Sequence, residues 1–233
     1  IQSGRARPGI EALFEVAGRD YRQASASDLG FIVGPRLNAA GRLDDMSIGI
    51  ECLLAESSAS ARGFAEKLHQ LNRERRDIEQ SMQQDALAQL ESIDLENDDS
   101  LFAMTLYDPA WHQGVIGILA SRIRERVHRP TLVFADAEEG MLKGSGRSIV
   151  GLHLRDVLDQ VATRHPDLLT KFGGHAMAAG LSLARGDLDR FRQALNDAVA
   201  DALGHTPPER TEDSDGALAS GDFGLLLAEH LAS

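Results

Sequence analysis

Leu101-Phe102-Ala103-Met104-Thr105-Leu106-Tyr107, Thr131-Leu132-Val133-Phe134-Ala135 and Ala178-Ala179-Gly180-Leu181-Ser182-Leu183-Ala184 are apolar runs of strand length. The stretches between them, 114–126 and 151–163, have helical periodicity, and a closing helix is expected over roughly 187–203. Alternation of this kind calls for a layered α/β domain. A further strand is expected at Met141-Leu142-Lys143-Gly144-Ser145-Gly146-Arg147-Ser148, whose internal glycines mark a close approach of backbone or ligand.

Upstream, Phe64, Leu68, Leu71, Ile78, Met82, Ala86, Leu90 and Ile93 recur at spacings of three, four and seven with no internal proline. The spacing predicts one long amphipathic helix from Ser57 to about Ile93, ended by Asn97-Asp98-Asp99-Ser100. Such a helix is longer than a compact domain covers, so it is expected to bridge two lobes. Its run Asn72-Arg73-Glu74-Arg75-Arg76-Asp77 reads most simply as a solvated face. Short helical runs fill residues 1–55, which read as a domain entered partway through. The stretch 205–220 is polar and contains Pro207-Pro208, as a linker or mobile loop would.

At 233 residues and 42% hydrophobic content, the chain can bury one good core, or a core plus a smaller helical lobe. No apolar run approaches the roughly 20 residues needed to span a bilayer, and a cytoplasmic location is expected. The single Cys52, inside Ile50-Glu51-Cys52-Leu53-Leu54, reads as a buried structural thiol. A net charge of −12 argues at first against a nucleic-acid partner. The acidity, however, lies mostly in 56–99 and 205–233, while 100–204 balances 12 Lys+Arg against 12 Asp+Glu. Locally clustered arginines in such a domain can still hold a phosphate.

Four strings carry chemistry. Gly173-Gly174-His175-Ala176-Met177-Ala178-Ala179-Gly180 joins two glycines, read as a turn, to a histidine able to donate a hydrogen bond near neutral pH. Gly144-Ser145-Gly146-Arg147-Ser148 offers a guanidinium fork, hydroxyls and backbone N–H groups suited to a phosphate; the plainer reading is an ordinary strand arginine. In Trp111-His112-Gln113-Gly114-Val115-Ile116-Gly117, His112 and Gln113 stand where a helix N-terminus favours an anion, or else form a loop packed beneath Trp111. In Pro35-Arg36-Leu37-Asn38-Ala39-Ala40-Gly41-Arg42-Leu43, Arg36, Asn38 and Arg42 either contact a strand or tie two lobes together. His153, in Gly151-Leu152-His153-Leu154, is read as a structural residue on an amphipathic helix. Base stacking could draw only on Trp111, Phe172 and Tyr107.

In their order along the chain, the four strings resemble the later motifs of the DHH/DHHA1 phosphoesterase superfamily, and within it the single-strand-specific DNA exonucleases. The resemblance runs from about Arg5 to Leu203. It implies a DHHA1-type layered α/β domain with a mixed sheet at 100–204. A long connecting helix at 56–99 and a small helical remnant of a DHH domain at 1–55 would precede it. An acidic linker and the start of a following domain would occupy 205–233. Members of the superfamily split phosphodiester bonds with two metal ions, Mn or Mg, held by Asp and His residues of the DHH domain. Here there is no Asp-His-His triplet, and the eight histidines lack the short spacings of a shared metal site. The metal is therefore expected outside this chain, with none bound by the chain itself, and the chain alone is expected to be inactive. The resemblance implies that Ser145, Gly146, Arg147 and Ser148 receive a 5′-terminal phosphate, with Gly173, Gly174, His112, Gln113, Arg36, Asn38 and Arg42 as further substrate contacts. It places His175 as the catalytic contact to a phosphate oxygen. The implied partners are single-stranded DNA with a 5′ end, a single-strand-binding protein and a helicase, with no membrane. Two other readings stand beside it: a phosphodiesterase for oligoribonucleotides or cyclic dinucleotides, and a non-catalytic nucleic-acid-binding module.

Overall fold

The computed structural model describes residues 6–91, 93, 100–208, 214 and 216–232. Its N-terminal part is helical: α1 (Pro8–Val16), a single turn α2 (Ala26–Asp28), α3 (Gly34–Leu43) and α4 (Ser47–Leu54). A π-helical turn, Leu29–Val33, leads into α3, where Gly34 donates its N–H to Leu29 O. Pro35 has no N–H to continue an α ladder, and the first turn of a helix is the place that tolerates this.

α5 (Ser58–Glu91) is a single helix of 34 residues, about 51 Å long at 1.5 Å per residue. Its first half buries Ala61, Ala65, Leu68 and Leu71 against Leu13 and Phe14 of α1, Ala39 and Ala40 of α3, and Cys52 of α4. Its last turns bury Met82, Ala86 and Leu90 against Trp111, Ile116 and Leu119. The one helix thus serves two cores, the bridging role that its length implied. Each Leu fully withdrawn from water contributes about 1.5–3 kcal/mol. Cys52 is completely buried, its thiol directed at the carbonyls of Gly9 and Ala61, and burial pushes its pKa up. The helix is described as far as Glu91, the expected last residue Ile93 is no longer helical, and the expected stop signal at 97–99 lies outside the described residues.

The sheet comprises β1 (Met104–Tyr107), β2 (Thr131–Asp136), β3 (Met141–Arg147), β4 (Lys171–Gly174) and β5 (Ala178–Ala184). Their order is β1-β2-β3-β5-β4; β1 and β2 run parallel and every other pair is antiparallel, so the sheet is mixed. The helices α6 (Ile116–Val127), α7 (Leu154–Arg164) and α8 (Leu188–Ala202) complete the layers. On one face Leu132, Phe134, Leu142, Leu181 and Leu183 pack against Leu154 and Leu158 of α7 and Phe191 and Leu195 of α8. On the other, Met104, Leu106, Val133 and Ala135 pack under α6 and the end of α5. The strand β4 corrects the sequence reading, in which Gly173-Gly174 formed a turn. Both residues pair with β5, Gly173 with Gly180 and Gly174 with Ala179. Gly174 alone of the two has a positive φ, 146°, and a Cβ there would lie 2.4 Å from Ala178 O.

After α8 the chain reaches α9 (Leu225–Ala232). Of the expected linker, residues 209–213 and 215 lie outside the described residues. At its start, His205 sits edge-on to Phe102 with ring centroids 6.4 Å apart, and its Nε2 is 3.4 Å from Asp201. No described helix is long and apolar enough to cross a membrane.

Candidate phosphate site

Arg147 ends β3, on the strand face opposite Gly146, whose Cα looks into the core at Leu154 and Leu132. Alternation along the strand puts Ser145 on the same side as Arg147. The guanidinium donates through Nη1 to Ser145 Oγ at 3.2 Å and to Gly146 O at 2.8 Å. No carboxylate pairs with it among the described residues. Burial lowers its pKa from the ordinary arginine value, and the charges of Arg42 and Arg124 lower it further. Three guanidinium groups therefore share one neighbourhood without a facing acid at Arg147. A half-buried cluster of that sign favours an anion.

Close packing holds the cluster. Gly117, in the first turn of α6, lies so near that a Cβ would stand 3.0 Å from both Arg147 Nη2 and Ser145 Oγ. Gly114 meets α3 as closely: a Cβ would fall 2.1 Å from Arg42 O, and Arg42 Nη1 donates to Gly114 O at 3.1 Å. Backbone contact thus sets the end of α3 against the turn before α6. Arg124, two turns along α6 from Gly117, keeps a buried Nε with no hydrogen-bond partner among the described residues, while its Nη2 reaches Glu125 at 3.2 Å. An orphaned buried donor beside two other guanidinium groups is a place that an acceptor would satisfy.

The other candidates fall around or away from this cluster. His112 is half-buried in a turn that precedes α6, which starts at Ile116 rather than 114; its Nδ1 accepts from Gly114 N at 3.0 Å. This fixes the turn and leaves the proton on Nε2. Gln113 is exposed beside it. Trp111 is buried in the core under α6, Tyr107 donates its hydroxyl to Asp136 at 2.8 Å, and Phe172 packs on the α7/α8 side. None of the three aromatics is presented for stacking.

His175 is exposed just after β4, its N–H donating to Ala178 O at 2.8 Å. Ala178 is the cross-strand partner of Arg147, which sets the His175 hairpin beside the end of β3. Ser148 N donating to Met177 O and Leu154 N donating to Ala176 O pin that hairpin in place.

Some candidates are committed elsewhere. Ser148 is fully buried and its hydroxyl donates to Leu152 O at 2.7 Å, closing the turn into α7 instead of facing a ligand. Gly144 and Gly146 sit in a central strand paired on both sides, where the ladder takes up their N–H groups; their missing Cβ makes room for Phe134, Leu181 and Leu154. Arg36 is buried and gives its N–H groups to Ile32 O at 2.6 Å and His69 Nδ1 at 3.2 Å, binding α3 to α5. Asn38 is exposed on α3. His153 precedes α7 rather than lying on it, and caps it by accepting from Asp156 N at 3.3 Å. Sequence reasoning missed Arg124 and Gly117. Arg124 is one of three arginines in α6 and nothing in their spacing separates it, whereas Gly117, an in-helix glycine in the motif already quoted, was a readable sign of close approach.

Residues 98–201 match the family model of the DHHA1 domain. That stretch forms a DHHA1-type domain. Along almost its whole length the chain follows one kind of protein, RecJ. It is 54% identical over 231 residues to the single-stranded-DNA-specific exonuclease RecJ of Dickeya dadantii, and 49% identical over 231 residues to that of Escherichia coli. Each alignment covers 99% of this chain and 40% of the relative, so the chain spans about two-fifths of the length of the curated relatives it matches. Among solved structures, RecJ of Thermus thermophilus in complex with Mg2+ superposes with a TM-score of 0.72 at 30% identity, over 86% of this chain and 29% of that one.

Proposed function

We propose that this chain is the substrate-holding part of a 5′→3′ single-stranded-DNA exonuclease, and that Arg147 receives the strand's 5′-terminal phosphate. The observation that carries this is the half-buried Arg147, unpaired with any acid among the described residues and held within electrostatic reach of Arg42 and Arg124. A terminal phosphate carries more charge than a bridging one, so such a cluster selects the end of a strand and fixes polarity. Ser145 adds a hydroxyl and Arg124 its free Nε. His175, on the adjoining hairpin, donates to an oxygen of the phosphate being cleaved and acts as the catalytic contact, with Gly173, Gly174, His112 and Gln113 shaping the rim. Arg36 has a tying role.

The solved relatives include complexes with Mg2+ and with Mn2+. Among the described residues no group of three or more His, Cys, Asp or Glu is placed to hold a metal ion, so these residues do not fit one. In this reading the metal ions are held by residues outside this chain. A single-strand-binding protein and a helicase are proposed partners that present the strand, in the cytoplasm where the DNA is.

The test is cleavage of 5′-labelled single-stranded DNA with Mn2+ or Mg2+. The 233-residue chain alone should release no nucleotides, while a protein of the relatives' full length containing it should. In that longer protein, His175→Ala should lower kcat and kcat/KM together on 5′-phosphorylated and 5′-hydroxyl strands alike. Metal-dependent cleavage by the purified chain alone would overturn the division of labour.

A further inference from the structure

Beyond the arginine cluster, one face of the sheet is open among the described residues: Lys143, Lys171, Gly173 and Gly180 are all exposed. α6 lies over β2 and meets the Ser145–Arg147 end of β3 through Gly117. Register sets the rest in rows, because directly paired residues share a face. Lys143 pairs with Ser182, which pairs in turn with Lys171. Ser145, Gly180 and Gly173 form the next row, and Arg147 with Ala178 the last. All of these alternate with Leu142, Gly144, Gly146, Leu181 and Phe172, which face the α7/α8 core. The face holds no acidic residue within these strands. Lys143 and Lys171 are both exposed and neither has an ion pair among the described residues.

We infer that Lys143, Ser182 and Lys171 form a second phosphate subsite, which grips the strand downstream of its 5′ end. Neighbouring strands lie about 4.8 Å apart, so the two lysines rise on either side of the Ser182 hydroxyl with their Cα atoms about 10 Å apart, a span their flexible stems close over one phosphate. Along β3 the four residues from Arg147 to Lys143 cover about 13 Å, a distance an extended single strand crosses in a few nucleotides. Between the two subsites the floor is bare backbone: a Cβ on Gly173 would meet nothing within 4 Å, and one on Gly180 only Gly144 O at 3.8 Å. Sugar or base can lie flat there without meeting a side chain. Charge at both ends and a flat centre suit a strand of any sequence.

This subsite rests on the reading of Arg147 as the terminal-phosphate ligand, and the experiment separates the two. Binding of the 233-residue chain to 5′-phosphorylated thymidine oligonucleotides of increasing length, from the dinucleotide upward, would be followed by fluorescence anisotropy across a salt series. Affinity should rise once the oligonucleotide reaches past the dinucleotide. K143A/K171A should remove that rise, with about a tenfold loss on the longer strands, a salt slope reduced by about 1, and the dinucleotide unaffected. K143R/K171R should restore the rise. The double variant should keep its preference for a 5′ phosphate, because Arg147 is untouched. A length dependence and salt slope unchanged in K143A/K171A would overturn the subsite while leaving the Arg147 reading standing. Loss of the 5′-phosphate preference in the unmodified chain would instead remove that reading.

Discussion

Arg147 and Arg36 show how residues of one type divide by what they meet. Arg36 is buried and Arg147 half-buried, which lowers the pKa of each. Arg36 spends its donors on Ile32 O and His69 Nδ1, whereas Arg147 meets one hydroxyl, one carbonyl and two other arginines. Sequence alone left both open, because it shows residue type and not the partner across the fold. His69 supplies a test at this scale. Burial, then Arg36, Arg73 and Arg76, depress its pKa below 6.5, so the folded state holds it neutral and the unfolded state binds the proton first. Stability should therefore fall as pH drops through about 6.5, and level off below the folded-state pKa. Thermal melts between pH 7.5 and 5 should show a falling Tm in the native chain and a smaller fall in His69→Gln. Equal falls in both would remove His69 from the account.

Among the elements, the long periodic ones were legible, and so was the glycine-bearing β3, but β4 was not. The helix α5 and the strands β2 and β5 follow from local apolar spacing, which the chain carries within itself, whereas the mixed sheet was implied by the family resemblance. β4 was misread because Lys171-Phe172-Gly173-Gly174 has almost no strand signature of its own; its conformation comes from pairing with β5. The same limit hid which neighbours Gly117 and Gly114 approach, since these are distant in sequence. Gly114→Ala and Gly173→Ala make a matched pair. The first drives a methyl into the Arg42 backbone and should cost about 1–3 kcal/mol in denaturant unfolding, with weaker phosphate binding as Arg42 is displaced. The second enters open space and should leave stability within about 0.5 kcal/mol. Equal costs would contradict the contact between α3 and the turn before α6.

For the whole molecule, α5 is the common support of two cores, and the cationic cluster forms where the helical part meets the layered domain. Leu68→Ala, in the N-terminal core and remote from Arg147, should cost about 2–5 kcal/mol of stability. Near room temperature it should leave phosphate affinity as it was, since it belongs to the N-terminal core and not to the arginine cluster. The family resemblance was readable because its motifs keep their order along the chain; their convergence was not, since α3, α6 and β3 come together only in the fold.

The most direct measurement compares two single strands identical except for a 5′ phosphate or a 5′ hydroxyl, bound to the native chain and to Arg147→Ala. The account predicts tighter binding of the phosphorylated strand by the native chain. It predicts a loss of about 1.5–3 kcal/mol on that strand alone in the variant, so that the two strands become nearly equivalent. A variant that weakens both strands equally, with its melting temperature unchanged, would return Arg147 to the role of an ordinary strand arginine.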